Sequence, residues 1–187
     1  MKSSLPLRLT LIAVLLATVA TLALSGGPAT AQSGNTWRAD YFANANWSGQ
    51  PVLTQTTNFI SFDWGYGSPG AWVPVDNFSA RFTTDAFFYA GPYNFSAVAD
   101  DEFVVLVNGQ TVFDTRGRGL SGKTQNFTLW MNQGTQRVEV LYREFTLAAY
   151  VFVNWWPSGQ NRPPTPPVQN LPSLPASQAT VTTQFGN

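Results

Sequence analysis

Residues 93–113 have the sequence YNFSAVADDEFVVLVNGQTVF, which holds two strand patterns, a pair of acidic residues and a turn signal. In residues 93–99, apolar side chains occupy every second position, as in a strand with one buried face. Residues 103–107 are apolar at every position, which is typical of a strand buried on both faces. Asn108-Gly109 between them and the next apolar run predicts a two-residue hairpin turn.

The same strand periodicity continues on both sides of this stretch. Residues 78–83 and 137–143 alternate between apolar and polar side chains, and residues 148–156 are mostly apolar on both faces. Glycine and proline separate these runs, and residues 36–156 show no sustained helical period. Many short strands joined by regular turns predict an all-β domain over residues 36–156, an antiparallel β-sandwich.

The composition excludes several classes of function. The 187-residue chain has 10 basic and 10 acidic residues and no block of basic residues, so we expect no nucleic-acid partner. It has no cysteine and no histidine. A zinc site with Cys or His ligands, a cysteine nucleophile and a Ser-His-Asp triad are therefore excluded.

The first 31 residues are predicted to be a signal peptide. Lys2 and Arg8 precede or open an apolar run over residues 9–24, and residues 29–31 (ATA) match the rule for a cleavage site. An uncleaved signal anchor is the alternative, although a run of about 16 residues is shorter than the roughly 20 that span a bilayer. We therefore expect a secreted protein, extracellular or at the cell surface, with no membrane span in the mature chain.

The C-terminal part, residues 157–187, is predicted to be a disordered Pro-rich tail or linker. Seven prolines lie within residues 157–179, a composition that favours extended polyproline II structure. Residues 180–185 (TVTTQF) have weak strand character.

The region between the two ends resembles the PA14 domain family. Six blocks similar to those of the family follow one another in the family's order, and a closing strand with Trp155 comes after them. The blocks are residues 37–42, 60–69, 76–83, 90–95, 100–114 and 138–144. The resemblance implies a β-sandwich of two sheets. It also implies an extracellular recognition module, often for carbohydrate, that accompanies enzymes without being one, so we expect no catalytic residue.

The resemblance also implies a metal site. In sugar-binding adhesins of the family, two adjacent Asp residues are joined by a cis peptide and hold a calcium ion, which in turn binds sugar hydroxyls. Asp100 and Asp101 match this pair, and carboxylates are preferred Ca²⁺ ligands. The structural alternative is that both side chains accept backbone N–H bonds in a turn. The chain departs from the family pattern at Glu102, where many relatives have a small residue, and at residues 144–147, where relatives often have Gly and Asn.

Four further residues are candidates for ligand binding beside this pair. Glu102 adds a third acid, which either strengthens cation binding or crowds a sugar pocket, and Glu144 opens the loop before the last strand. Trp72 lies in a loop rich in Gly and Pro, where it is available for stacking on a sugar, whereas the other tryptophans are expected to pack in the core. Arg116 suits an acidic sugar or a carboxylate, with a solvated loop as the alternative.

These observations predict a secreted, non-catalytic binding module for a glycan or cell-surface polysaccharide, assisted by Ca²⁺. The alternative is a structural or adhesive module of an extracellular assembly, which binds a protein partner through its C-terminal tail. In that alternative, residues 180–185 add a strand to the sheet edge of a neighbouring molecule.

Overall fold

The computed structural model describes residues 35–163, 166, 168 and 169. The predicted signal peptide and residues 170–187 lie outside this part of the chain. The described residues form ten strands: β1 (Trp37–Phe42), β2 (Leu53–Thr57), β3 (Ile60–Gly65), β4 (Phe78–Phe88), β5 (Gly91–Asp100), β6 (Glu102–Val107), β7 (Gln110–Asp114), β8 (Gln125–Met131), β9 (Gly134–Glu144) and β10 (Ala149–Pro157). Within them, no helix has the length and apolar character needed to cross a bilayer.

The strands form two antiparallel sheets. The larger sheet has six strands in the order β2-β1-β4-β9-β6-β7, and the smaller has four in the order β3-β10-β5-β8. The predicted all-β sandwich is confirmed. Its long central strands are β4 and β9, which pair over their full lengths from Phe78 opposite Glu144 to Phe88 opposite Gly134.

The periodicity of the sequence accounts for the buried faces. In β5, Tyr93, Phe95, Ala97 and Ala99 are all buried, as their alternation predicts. The Asn108-Gly109 turn joins β6 to β7, and both residues have positive φ angles, 50° and 77°. Two positive φ angles in succession are what a tight turn between twisted strands requires.

Aromatic side chains fill the space between the sheets. Trp155 of the smaller sheet is buried and lies 5.6 Å, between ring centroids, from Trp37 of the larger sheet. Phe88 lies 5.6 Å from the Trp155 ring, and Phe95 lies 5.5 Å from the Trp155 ring. A second group around Phe62 and Phe82, 5.5 Å apart, continues the core toward the other end of the domain.

A row of stacked rings closes the side of the sandwich where β7 and β8 are the edge strands. Phe113 of β7 and Phe127 of β8 stack across the gap between the sheets, with centroids 4.2 Å apart and planes 6° apart. Phe103 stacks on Phe113 at 5.8 Å, and Phe95 stacks on Phe127 at 5.2 Å. The two sheets are therefore held together at mid-length on this side.

The structure adds contacts to the segment that the sequence predicts to be a free tail. Strand β10 includes Pro157, one residue beyond the predicted domain boundary. After it the chain contacts the smaller sheet. The Ser61 hydroxyl donates to the carbonyl of Pro166 at 3.0 Å, and the Gln169 N–H donates to the carbonyl of Ser61 at 2.7 Å. Residues 166 and 169 thus lie along edge strand β3.

Replacement of Trp155 tests the importance of the aromatic core. We expect Trp155→Ala to lower the free energy of unfolding by about 3–5 kcal/mol, because it opens a cavity among Trp37, Phe88 and Phe95. Urea denaturation measures this change. The matched control is Trp130→Ala, whose side chain is exposed and whose effect should stay within about 0.5 kcal/mol. Equal effects of the two changes would contradict this account of the core.

Candidate functional site

Five connections meet at one end of the sandwich, which we call the acidic end. Strand pairing places them together, since Phe42 lies opposite Ser79, Phe78 opposite Glu144, and Tyr150 opposite Asp100. The connections are residues 43–52, 66–77, 100–102, 115–124 and 145–148. All six predicted ligand-binding residues lie in these connections or at the strand ends beside them. Sequence alone does not give this result, because the six positions are spread from 72 to 144.

The paired acids form the junction between β5 and β6. The Asp100–Asp101 peptide is cis, as the family resemblance implies. Asp100 Oδ1 accepts a hydrogen bond from the Ser121 hydroxyl, and Asp101 Oδ2 accepts one from the Phe145 N–H at 2.7 Å. One oxygen of each carboxylate therefore anchors a neighbouring loop. The bond to Asp101 is the backbone N–H bond that the structural alternative describes, whereas Asp100 is bonded to a side-chain hydroxyl.

Glu102 is neutralised within the domain. Its Oε2 accepts a hydrogen bond from Arg143 Nε at 2.5 Å, and its Oε1 accepts one from the Gly117 N–H at 2.7 Å. The Arg143 guanidinium also lies over the Phe145 ring, 4.9 Å from its centroid. Glu102 thus fixes residues 115–124 and pairs its charge with a cation, and both of its oxygens are occupied.

Glu144 is a buried acid behind the pair. Its side chain has 0% exposure, and its Oε1 has no hydrogen-bond partner among the described residues. Its Oε2 lies 3.1 Å from the hydroxyl of Tyr142, which donates a hydrogen bond to the Asp100 carbonyl at 2.5 Å. A phenol has only one proton to donate. A protonated Glu144 can instead donate to the Tyr142 oxygen, which satisfies the three groups together.

Negative charge accumulates at this end. Burial, followed by the charge of Asp101, raises the pKa of Glu144 to about 8. Burial also raises the pKa of Asp101, and the charges of Asp100 and Glu102 add to that shift. Buried carboxylates close to one another favour either a proton or a cation among them.

The remaining two candidates differ in availability. Trp72 is 83% exposed in the 66–77 connection, so it is free to contact a ligand. Arg116 forms a bidentate pair with Asp114, with Nη2 2.6 Å from Oδ2 and Nε 3.0 Å from Oδ1. An acidic ligand would have to compete with Asp114 for Arg116. Among the tryptophans expected to pack in the core, Trp155 lies in it and Trp64 packs against it, whereas Trp130 is 71% exposed and the prediction was wrong for that residue.

The fold, the block order and the acidic junction agree with one known family. The family model described as "PA14 domain" matches residues 32–140. The chain belongs to the PA14 domain family. The predicted family is thereby confirmed, and PA14 domains are binding modules, some of which occur within glycosidases.

Two similar proteins are longer than this chain. The anti-sigma-I factor RsgI3 of Acetivibrio thermocellus is 25% identical over 143 residues, 75% of this chain and 22% of that protein. A solved anti-sigma factor domain-containing protein from Clostridium clariflavum is 26% identical with a TM-score of 0.59, covering 70% of this chain and 45% of the other. This chain thus spans about a fifth of the first protein and under half of the second.

A fold likeness extends to an adhesin. The epithelial adhesin 9 A domain of Candida glabrata, solved in complex with Galβ1-3GlcNAc, has a TM-score of 0.51 and 10% identity, covering 70% of this chain and 84% of that domain. At this identity the comparison concerns the fold alone.

The oxygen atoms at the acidic end are of the type that a hard cation prefers, but the side chains there supply too few of them to complete its coordination. Asp100 and Asp101 supply carboxylate oxygens, which Ca²⁺ prefers, and the unpartnered Glu144 Oε1 leaves uncompensated polarity behind them. Among the described residues, however, no three Asp, Glu, His or Cys side chains are arranged to hold one metal ion. A cation bound by the pair would need further oxygens from backbone carbonyls, water or a ligand.

Sequence reasoning missed several residues of this end. Ser121 anchors Asp100, Tyr142 connects Asp100 to Glu144, and the Asp76 carboxylate accepts a hydrogen bond from the Leu147 N–H at 3.0 Å. Tyr66 and Leu147 are exposed apolar side chains in the same connections as Trp72 and Phe145. The signal that could have found Tyr142 is its position two residues before Glu144, which places both side chains on one face of β9.

The elevated pKa of Glu144 predicts a pH-dependent stability. The ordinary value is 4.5 and the folded value is about 8, so between these pH values the folded chain retains a proton that the unfolded chain has released. Stability in metal-free buffer should therefore fall as pH rises from about 5 to 8. We expect Glu144→Gln to reduce this slope and to be more stable than the wild type at pH 8 by about 2–4 kcal/mol.

Thermal and urea denaturation between pH 5 and 8 measure this effect. Glu139→Gln is the matched control, since Glu139 lies on the same strand with a partly exposed side chain. An unchanged slope in Glu144→Gln would show that another group titrates.

Proposed function

We propose that this chain is a non-catalytic carbohydrate-binding module that works outside the cell and binds glycan at its acidic end with the help of Ca²⁺. The observation that carries the proposal is the position of Asp100 and Asp101 at the end where five connections meet. Behind the pair lies a buried acid, Glu144, whose Oε1 has no partner among the described residues, and the same end carries exposed aromatic side chains. Membership of the PA14 domain family supports a binding role. The adhesin domain that shares the fold was solved with a sugar, and carbohydrate is the ligand class that we propose for this chain.

The proposal assigns the metal to Asp100 and Asp101. One oxygen of each carboxylate is fixed by a neighbouring loop, through Ser121 and Phe145, which holds the pair in place for the ion. When bound, Ca²⁺ supplies a positive centre with open coordination positions for sugar hydroxyls. Glu144 lies behind the pair without reaching solvent, and it adds negative charge only when it has released the proton that its raised pKa favours.

The exposed aromatic side chains supply the second kind of contact. Trp72 and Tyr66 are 83% and 79% exposed, and both belong to the connection between β3 and β4. A pyranose has an apolar C–H face and a rim of hydroxyls, so an aromatic ring beside a polar centre matches both parts of it. Glu102 and Arg116 are not assigned direct contacts with the ligand, because each is paired with an opposite charge.

Calcium addition tests the metal assignment. We expect millimolar CaCl₂ to raise the Tm of the full chain, because an ion that binds only the folded state stabilises it. Asp101→Asn should remove most of the increase, since it takes away a carboxylate ligand. Asp85→Asn is the matched control, as Asp85 forms an exposed pair with Arg137 far from this end. A Tm that is unchanged by Ca²⁺, or an increase retained in Asp101→Asn, would contradict the assignment.

A glycan array followed by calorimetry tests the ligand. We expect Ca²⁺-dependent binding of at least one glycan, weakened about tenfold or more by Trp72→Ala because an exposed aromatic contact is lost. Trp130→Ala removes an exposed tryptophan from the opposite end and should leave this Ca²⁺-dependent binding unchanged. Glycan binding that is unchanged by EDTA and by Trp72→Ala would contradict the placement of the site at the acidic end.

The adhesive alternative remains a prediction. Residues 180–185, which it requires, lie outside the described part of the chain, and the contacts of Pro166 and Gln169 are with the domain's own β3 strand. We therefore do not propose it as a second function.

A further inference from the structure

A groove lies at the end of the sandwich opposite the acidic end. Its walls are the edge strands β7 and β8, which belong to different sheets and separate beyond the Phe113–Phe127 stack. The turns Asn108-Gly109 and Asn132-Gln133 flank it. The groove has a volume of about 260 Å³, below the usual range for drug-sized ligands and therefore suited to one or two small rings.

The surface of the groove combines an apolar base with an exposed ring. Val112 and Leu129 line it from the two sheets, and both side chains also pack against the core. Trp130 lines the same groove and is 71% exposed. A tryptophan this exposed on an edge strand contributes little to the core, and its large flat ring is available to a ligand.

The polar groups of the groove are amides held in fixed positions. The Asn108 side chain accepts a hydrogen bond from the Arg137 N–H at 2.9 Å and donates one to Gln136 Oε1 at 2.5 Å. Gln136 is buried, and its Nε2 donates to the Asn132 carbonyl at 3.0 Å. Each of these amide nitrogens has a second N–H, so the groove offers pre-positioned donors.

The charge of the groove narrows the ligand class. Among the described residues that line it, none is Asp, Glu, Lys or Arg. An ionic ligand would lose its hydration there without an opposite charge to compensate. An uncharged molecule with an apolar face and several hydroxyls has a smaller cost of desolvation than an ion. The amides replace its hydrogen bonds to water, and the Trp130 ring covers its apolar face.

We propose that this groove is a second carbohydrate subsite, specific for a neutral sugar and independent of metal. Trp130 stacks on the apolar face of one pyranose, and the amides of Asn108 and Gln136 bind its hydroxyls. The proposal goes beyond the function assigned to the acidic end and does not depend on it, since the two sites share no residue.

Glycan binding by the full chain in EDTA tests this subsite. The probes are neutral oligosaccharides on an array, with calorimetry on those retained. We expect wild type to bind at least one neutral glycan in EDTA and Trp130→Ala to weaken that binding about tenfold or more. Trp130→Phe keeps a flat ring and should stay within about threefold of wild type. Trp72→Ala, the matched exposed tryptophan at the other end, should have no effect.

The outcomes separate this proposal from the proposed function. Loss of Ca²⁺-dependent binding in Asp101→Asn with intact binding in EDTA supports a separate subsite, whatever the result at the acidic end. Three outcomes would overturn the subsite. The first is that the chain binds no neutral glycan in EDTA, and the second is that wild type and Trp130→Ala bind equally well. The third is that the Trp130 surface binds only a protein ligand. A normal Tm of Trp130→Ala excludes misfolding as the cause of any loss.

Discussion

The Tyr142 phenol connects the core to the acidic end, and the geometry of that end depends on it. Its ring packs between the sheets, 5.8 Å from both Phe78 and Trp64, while its oxygen reaches the Asp100 carbonyl and Glu144. The ring holds the hydroxyl in place, because a close-packed core allows little movement. The acidic junction is therefore positioned by core packing as well as by its own loop contacts.

A buried acid without a full set of partners is costly to the fold. Glu144 lies at the end of the long central strand β9, and its charged form would face Asp100 and Asp101. No Lys or Arg in the described part of the chain forms an ion pair with it. Domains retain such groups where they serve a role, and here the cost is placed directly under the proposed binding surface. Glu102 shows the contrast, since its partner Arg143 removes the cost and with it the capacity to attract an ion.

The sequence predicted the sandwich well because strand periodicity is local. The alternation in β4, β5 and β9 and the Asn108-Gly109 turn follow from neighbouring residues alone, and the block order identified the family. The acidic pair and Trp72 were found by type and resemblance. The engagement of Glu102 by Arg143, of Arg116 by Asp114, and of Asp101 by Phe145 arises from strand register and loop conformation, which single-residue reasoning does not give. The β7–β8 groove was missed because its two walls belong to different sheets, and the sequence does not show how the edges of two sheets lie against each other.

The Ser61–Gln169 hydrogen bond has a consequence for how the domain is mounted. An open edge strand invites pairing with other molecules, and here the chain's own continuation occupies part of the β3 edge. Whatever follows residue 169 departs from a fixed point on the flank of the domain, between its two ends. The described part of the continuation therefore runs along the side of the sandwich and leaves both loop ends open to a ligand.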